Sequence, residues 1–253
     1  MRKVSFCTTC ANRLWQLRET LLPNLAALPE GCEISLVDFW SKDGLADWVW
    51  SNCREEIQQG RLNFFQATVP LQWHVAKAKN AAHRIARGDY LFSLDADNRI
   101  TESEVERILR VRERGNGCWQ FSGVSRDGSY GRIGLPSSVF FDLGGYDESL
   151  LAMAAEDYDL LKRMMKSGLT VERLTSPEIK ALQNEVSDKA LGVESLSGNI
   201  DIEKVYVMMD TLNRRMSDFK LARYGWHRRH NFGYLEGLLN GVPAVLYPNW
   251  PEA

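Results

Sequence analysis

The order of hydrophobic periods in the first 100 residues most constrains what this chain can fold into. Four short runs read as strands: "KVSFCT", "CEISLVDF", "LNFFQAT" and "DYLFSLDADN". Between them lie three helical patterns, "RLWQLRETLLPNL", "DGLADWVWSNCREEIQQG" and "HVAKAKNAAHRIARG", the last two stopped by Gly60 and Gly88. Strands separated by helices are joined by crossovers, which predicts a mostly parallel sheet with helices on both faces. Ligands of such sheets bind beyond the carboxyl ends of the strands. Thr8, Asp38, Asp95 and Asp97 fall at those ends. Distant segments thus send polar groups to one edge.

The fourth run ends in "SLDADN", residues 93–98. Tyr90, Leu91, Phe92 and Leu94 require a core, whereas Asp95 and Asp97 do not. If extended pairing reaches this far, residues two apart share a face, and the carboxylates converge where a cation is needed. The plainer alternative is an Asp-rich turn in which each side chain bonds its own backbone. The spacing alone decides little, since it recurs at Asp157 and Asp159 in "EDYDLLKRM".

Composition removes several classes of function. The 253 residues are 44% hydrophobic and 25% charged, as expected of one large α/β domain with or without a subdomain. A net charge of −2 gives no global attraction to nucleic acid or anionic membranes. No apolar stretch approaches the ~20 residues that span a bilayer. The start, "MRKVSFCTTCANR", shows no apolar leader, so a cytoplasmic protein is expected. Five cysteines make an incomplete disulfide framework. Cys7 and Cys10 form "CTTC" between a strand and a helix, the context of a redox pair. No strand and helix precede them to build a redox fold, and no second Cys-x-x-Cys completes a zinc site. Small residues filling a tight strand-to-helix turn are the preferred reading.

Beyond Asp97 the pattern changes. "TESEVERILRVRERG" is a solvated helix with a capping box at Thr101 and Glu104. "CWQFSG" and "GRIGLPSSVFFDLGGYDE" read as short strands and a glycine-rich turn. "AAEDYDLLKRMMKSG" is a helix with Glu156 and Asp157 in its first turn and Gly168 beyond its end. In "DIEKVYVMMDTLNRRMSDFKL" the stripe Val205, Met208, Leu212, Met216 and Phe219 predicts a core-facing helix. His74 and His83 read as helix-surface groups. Asp38 can accept from a base or ribose hydroxyl, and Lys79 can face phosphates. Oxygen ligands favour a hard cation, Mg²⁺ or Mn²⁺. Neither a dinucleotide fingerprint nor a phosphate-binding lysine loop is present.

In this order, "VSFCTTCANR", "ISLVDFWSKDG", "HVAKAKNAAHRIARGDYLFSLDADN" and "FFDLGGYDESL…AEDYDLLKRM" resemble the GT-A glycosyltransferases of family 2, over residues 4 to about 168. The resemblance implies a Rossmann-like GT-A domain: residues 1–100 as the nucleotide-sugar half, 101–200 as the acceptor half. Residues 201–253 would form a helical C-terminal extension with a basic, aromatic lid or tail. It further implies a nucleotide-sugar donor, a UDP-sugar, and transfer to an acceptor hydroxyl with inversion, assisted by Mn²⁺ or Mg²⁺. Carried over position by position, Thr8 and Arg13 lie at the nucleotide edge, and Asp38 matches the base-binding Asp. Lys79 replaces an Arg near the diphosphate. Asp95 matches the Asp on the ribose and metal side, and Asp97 the direct metal ligand. Asp157, with Glu156 beside it, matches the general base, kept ionised by the helix dipole. Asp159, about 200° around the helix, should point away and serve as a neutral control.

Three departures mark this chain. Phe39 and Trp40 stand where the family has Asp-Gly, and "MAAEDYD" lacks a preceding Trp-Gly. The family's later metal-binding His has no counterpart near "KALQNE", leaving His230 or His227 as substitutes. Between Arg214 and His230 there are six Lys or Arg against Asp218 alone, interleaved with Tyr224 and Trp226. A lid over the donor, a nucleic-acid contact and a solvated loop are the readings of that stretch. A glycosyltransferase acting on a nucleic-acid base or another anionic acceptor is therefore an alternative, as is a catalytically silent nucleotide-sugar binder. A nucleotidyltransferase is less well matched, because "CTTCANR" lacks a glycine-rich signature.

Overall fold

The computed structural model describes residues 2–69, 71–122, 128–175, 181–182, 201–227 and 232–246. The four expected strands form β1 (Arg2–Cys10), β2 (Cys32–Asp38), β3 (Leu62–Ala67) and β4 (Gly88–Ser93). Between them run α1 (Leu14–Ala27), the pair α2 (Leu45–Asn52) and α3 (Arg54–Gln58), and α4 (Val75–Arg84). Then follow α5 (Glu102–Glu113), β5 (Gly117–Phe121), β6 (Ile133–Pro136), α6 (Ser137–Asp142), α7 (Glu156–Lys166) and β7 (Val171–Thr175). The chain continues with α8 (Ile202–Tyr224), β8 (Leu235–Leu239) and β9 (Val242–Leu246).

All nine strands join one sheet in the order β7-β5-β6-β4-β1-β2-β3-β8-β9. The block β4-β1-β2-β3 is parallel throughout. The mostly parallel sheet expected from the sequence is corrected to a mixed one. Strand β6 runs antiparallel to both β4 and β5, and β8 antiparallel to both β3 and β9. After β1 the chain builds β2 and β3 on one side and returns to place β4 on the other. The crevice of such a sheet opens where that reversal occurs, between the carboxyl ends of β1 and β4.

Alternating strand residues feed two cores. Phe6, Ile34, Leu36, Phe64 and Phe92 pack beneath α1, α2 and α5, whose Leu17, Leu21, Val49 and Ile108 are buried. Val37, Phe65, Leu91 and Leu135 pack on the other face beneath α4, α6 and α7, against Ala78, Ala82, Phe140, Leu160 and Met164. Helix α5 starts with the predicted capping box between Thr101 and Glu104.

Several local expectations are corrected. The CTTC segment lies wholly inside β1, not in a turn. Three residues apart in a strand, Cys7 and Cys10 enter opposite cores. Burial pushes both thiols up, Cys10 to about 12, so neither favours the reactive thiolate. His83 is buried, not superficial: its ring stacks on Phe140 and lies 2.7 Å from the Lys79 carbonyl. His74 is half-buried at the start of α4, where it accepts from the Lys77 amide.

The apolar stripe of α8 does not face the core: Met208, Leu212 and Phe219 are exposed, whereas Asn213 and Ser217 are buried. The helix docks on backbone carbonyls and a carboxylate, which a polar face satisfies and an apolar one would not. The tail from residue 232 is pinned as well. Phe232 is buried, and Gly233 donates to Glu148. The β8–β9 hairpin turns at Asn240 and Gly241, both left-handed, a two-residue signal present in "LLNGVP" that the period reading passed over. No described helix is long and apolar enough to cross a membrane.

Candidate active site

Strand β4 ends at Ser93, so Asp95 and Asp97 stand in a turn and not on one strand face. Thr8 at the end of β1 holds this turn by donating to the Leu94 carbonyl at 2.8 Å. From α1, Thr20 donates to the Ala96 carbonyl (2.6 Å), and the Asn24 amide donates to the Asn98 carbonyl (2.9 Å). Thr20 and Asn24 are four residues apart on the buried side of α1, a polar pair inside an apolar face that sequence reading missed. The turn sends its carboxylates to different cations. Asp97 is 5% exposed, accepts from Asn98 Nδ2 (2.7 Å) and lies 3.7 Å from the Arg13 guanidinium. Asp95 faces Lys79 at 3.5 Å.

Lys79 is the hub of the site. Helix α4 carries it inward at 5% exposure. Its Nζ lies 2.9 Å from Glu156 Oε1 and 2.7 and 2.9 Å from the two Asp157 carboxylate oxygens. The ring of Tyr146 covers it at 5.4 Å. Burial works against the ammonium, but Asp157, Asp95 and Glu156 outweigh it and hold its pKa well above the usual lysine value. Lys79 therefore contacts three carboxylates at the edge where the sequence places a diphosphate. Burial and the nearby Glu156 raise Asp157 well above the ordinary carboxylate range, with Asp95 adding and Lys79 only partly opposing. The helix start does not dominate this balance. Gly131 closes the site from the β5–β6 side. A Cβ there would stand 2.7 Å from Asp157 Oδ2 and 2.9 Å from Asp95 Oδ2, so a larger residue would displace these carboxylates.

Asp38 ends β2 at 2% exposure, and its Oδ1 accepts the Ser41 amide at 2.8 Å. Burial raises its pKa, opposed by Ser41. The Asn12 amide donates to Ser41 Oγ and the Lys42 amide to Asn12 Oδ1, so the turns after β1 and β2 clasp each other. Asn12 and Trp40 both adopt left-handed backbone (φ 54° and 62°). Beside this clasp is a hollow lined by Asn12, Phe39, Trp40, Lys42, Leu71 and Trp73. Its aromatic walls replace the missing Asp-Gly. His227 is exposed and stacks on Trp226 at 4.3 Å. His230 lies outside the described residues.

The structure thus brings Lys79, Asp95, Glu156 and Asp157 into one cluster, with Arg13 and Asp97 alongside and Asp38 across the neighbouring turn. Among the described residues no three His, Cys, Asp or Glu side chains converge as a metal cluster. Asp95 and Asp97 each lie beside a different cation, and either can offer an oxygen to a hard cation that takes its other ligands from phosphate and water.

Solved structures of the same fold include TarS residues 1–349 of S. aureus in complex with UDP: TM-score 0.59, 15% identity, 88% of this chain and 72% of that one. A second is the mannosyltransferase PcManGT of Pyrobaculum calidifontis with GDP-Man and Mn²⁺: TM-score 0.58, 15% identity, 88% and 73%. TarS 1–349 with UDP-GlcNAc gives a TM-score of 0.57 at 15% identity, over 87% and 73%. No curated protein matches the chain in sequence. Residues 5–164 match the family described as "Glycosyl transferase family 2". That span contains the sheet reversal, the Asp95 turn and the Glu156–Asp157 helix start, and the chain belongs to glycosyl transferase family 2, whose enzymes transfer a sugar from a nucleotide-sugar donor.

Proposed function

We propose that this chain transfers a sugar from a UDP-sugar to an acceptor hydroxyl with inversion, assisted by Mn²⁺ or Mg²⁺. The observation that carries this reading is the Lys79-centred cluster of Asp95, Glu156 and Asp157 at the crevice between β1 and β4. Asp157 takes the proton of the acceptor hydroxyl. As the new bond to the anomeric carbon forms on one face, the bond to the diphosphate oxygen breaks on the other, and its electron pair leaves with the diphosphate. A carboxylate made more basic than a free aspartate by burial and by Glu156 is the better proton acceptor. Glu156 shares the ammonium with Asp157 and keeps Lys79 in place. Asp95 and Asp97 would hold the metal, which neutralises charge on the departing diphosphate. Arg13 and Thr8 lie at the same edge, and the hollow between Trp40 and Trp73 offers flat apolar walls for a base. Structures of similar fold are in complex with UDP, UDP-GlcNAc and GDP-Man, so the nucleotide panel below decides between uridine and guanosine.

A nucleic-acid acceptor is not favoured by any contact in the described tail. Lys220 donates to Asp147 and Arg214 to Asp210, so both cations already have carboxylates.

The test is a thermal-shift panel of UDP, GDP and their sugar derivatives, with and without Mn²⁺, on the parent protein and on Asp97→Ala. Selective stabilisation reports binding to the native state. Metal-dependent stabilisation by UDP in the parent, lost in Asp97→Ala, is expected. Equal stabilisation of both proteins rejects Asp97 as a ligand, and retained anomeric configuration in the product rejects the direct-displacement mechanism.

A further inference from the structure

We propose that Asn213, on the C-terminal helix α8, is a positioning residue that sets the Glu156–Asp157 end of α7. This rests on Asp157 being the base. Asn213 is fully buried. Its Oδ1 accepts the Leu151 amide at 2.7 Å, and its Nδ2 donates to the carbonyls of Leu151 (3.2 Å), Met153 (3.0 Å) and Ala154 (2.8 Å). One side chain thereby satisfies four backbone groups of the segment that leads into Glu156.

That segment needs outside help. Ala154 and Ala155 both adopt left-handed backbone, with φ of 70° and 62°, a conformation that a Cβ disfavours. Helix α7 has no side-chain cap at Ala155, so no N-cap side chain fixes its start. On the opposite side the start of α4 ties the segment through the Val75 amide to the Ala152 carbonyl (2.9 Å), and His74 Nε2 lies 3.1 Å from the Leu150 carbonyl just before it. Residues held in strained backbone next to reacting groups persist only when their surroundings over-determine them. Asn213 is that surrounding. One turn further along α8, Ser217 Oγ donates to Asp159 Oδ1 at 2.7 Å, which anchors α7 beyond the site without touching the strained segment. The two residues, four apart on α8, therefore separate positioning from docking. The family match ends at residue 164, so this support comes from outside the matched span.

The experiment compares the parent with Asn213→Ala, Asn213→Asp and Ser217→Ala. Asn213→Asp keeps the acceptor for the Leu151 amide and loses the amide donors, so it remains informative if the alanine variant fails to fold. UDP affinity with Mn²⁺ is measured by calorimetry, and turnover by UDP release from UDP-GlcNAc. Amide exchange is followed across residues 151–157. Both Asn213 variants are expected to lower kcat at least tenfold, with UDP Kd and donor KM within twofold of the parent. Exchange across 151–157 should quicken, and Ser217→Ala should keep kcat within twofold. Unchanged kcat in both Asn213 variants, or a fall matched by Ser217→Ala, overturns the proposal. If Asp157→Asn keeps parental turnover, the base assignment fails instead. Exchange then still decides whether Asn213 orders this segment, and unchanged exchange overturns it.

Discussion

At Asp157, burial and two neighbouring carboxylates work against one ammonium, and the balance leaves the group more basic than a free aspartate. Asp157→Asn keeps the shape and removes the proton acceptor. Turnover is expected to fall by the ~10²–10⁴-fold of general base catalysis, with UDP affinity retained. Glu156→Gln, whose oxygen still accepts from Lys79, should lose less, as steady-state kinetics will show. His83 makes a different prediction, about stability. Burial holds its pKa at about 3, against 6.5 for a free histidine, with the Lys79 carbonyl partly opposing. The folded protein therefore resists a proton that the unfolded chain accepts. Stability is complete above pH 6.5 and is lost as pH falls from there toward 3. By pH 5 the loss from this group is about 2 kcal/mol. His83→Gln should flatten the fall of denaturation midpoint between pH 7 and 5, and an unchanged slope counts against the assignment.

At the scale of elements, α7 is held at both ends of its inner face by different chemistry. Asp159 is fully buried, pairs with Arg163 at 2.7 Å and accepts from Ser217. Arg163 in turn donates to the carbonyls of Leu143 and Gly145. Asp159 does lie away from the Lys79 cluster, as its helical angle requires, but it is no neutral control. Removing one partner of a buried pair strands the other charge, and such changes cost about 3–5 kcal/mol. Asp159→Asn is thus expected to lower the denaturation midpoint sharply, in urea or by heat, more than Asp157→Asn does. Equal midpoints for the two variants contradict the buried network. The exposed stripe of α8 belongs to the same account: a helix that docks through Asn213 and Ser217 must turn Met208, Leu212 and Phe219 outward.

For the whole molecule, the sheet couples the chain's ends. Strand β8 pairs with β3, so residues near the carboxyl terminus extend a sheet begun at residue 2. Gly237 makes that pairing possible. A Cβ there would stand 2.2 Å from the Gln66 carbonyl and 2.6 Å from the Phe65 ring. Gly237→Ala should destabilise the fold by about 1–3 kcal/mol through overpacking, read as a lower urea midpoint. An unchanged midpoint would show that the hairpin adds nothing to the sheet.

The alternation of strand and helix in residues 1–100 determined the parallel block and its ligand edge, because local periodicity leaves few ways to bury each apolar face. The same pattern placed Thr8, Asp38, Asp95 and Asp97 at strand ends, and the capping box placed the start of α5. Tertiary structure alone decided which carboxylates share a cation. Lys79 and Asp157 are 78 residues apart, and no local signal specifies that they meet. It also decided that Asp95 and Asp97 diverge, because Thr8, Thr20 and Asn24 bend the chain after Ser93 into a turn. Helix α8 shows the limit most plainly. Its hydrophobic period predicts a buried apolar face, but the surface it meets offers carbonyls and a carboxylate, so hydrogen bonding chose the polar face instead.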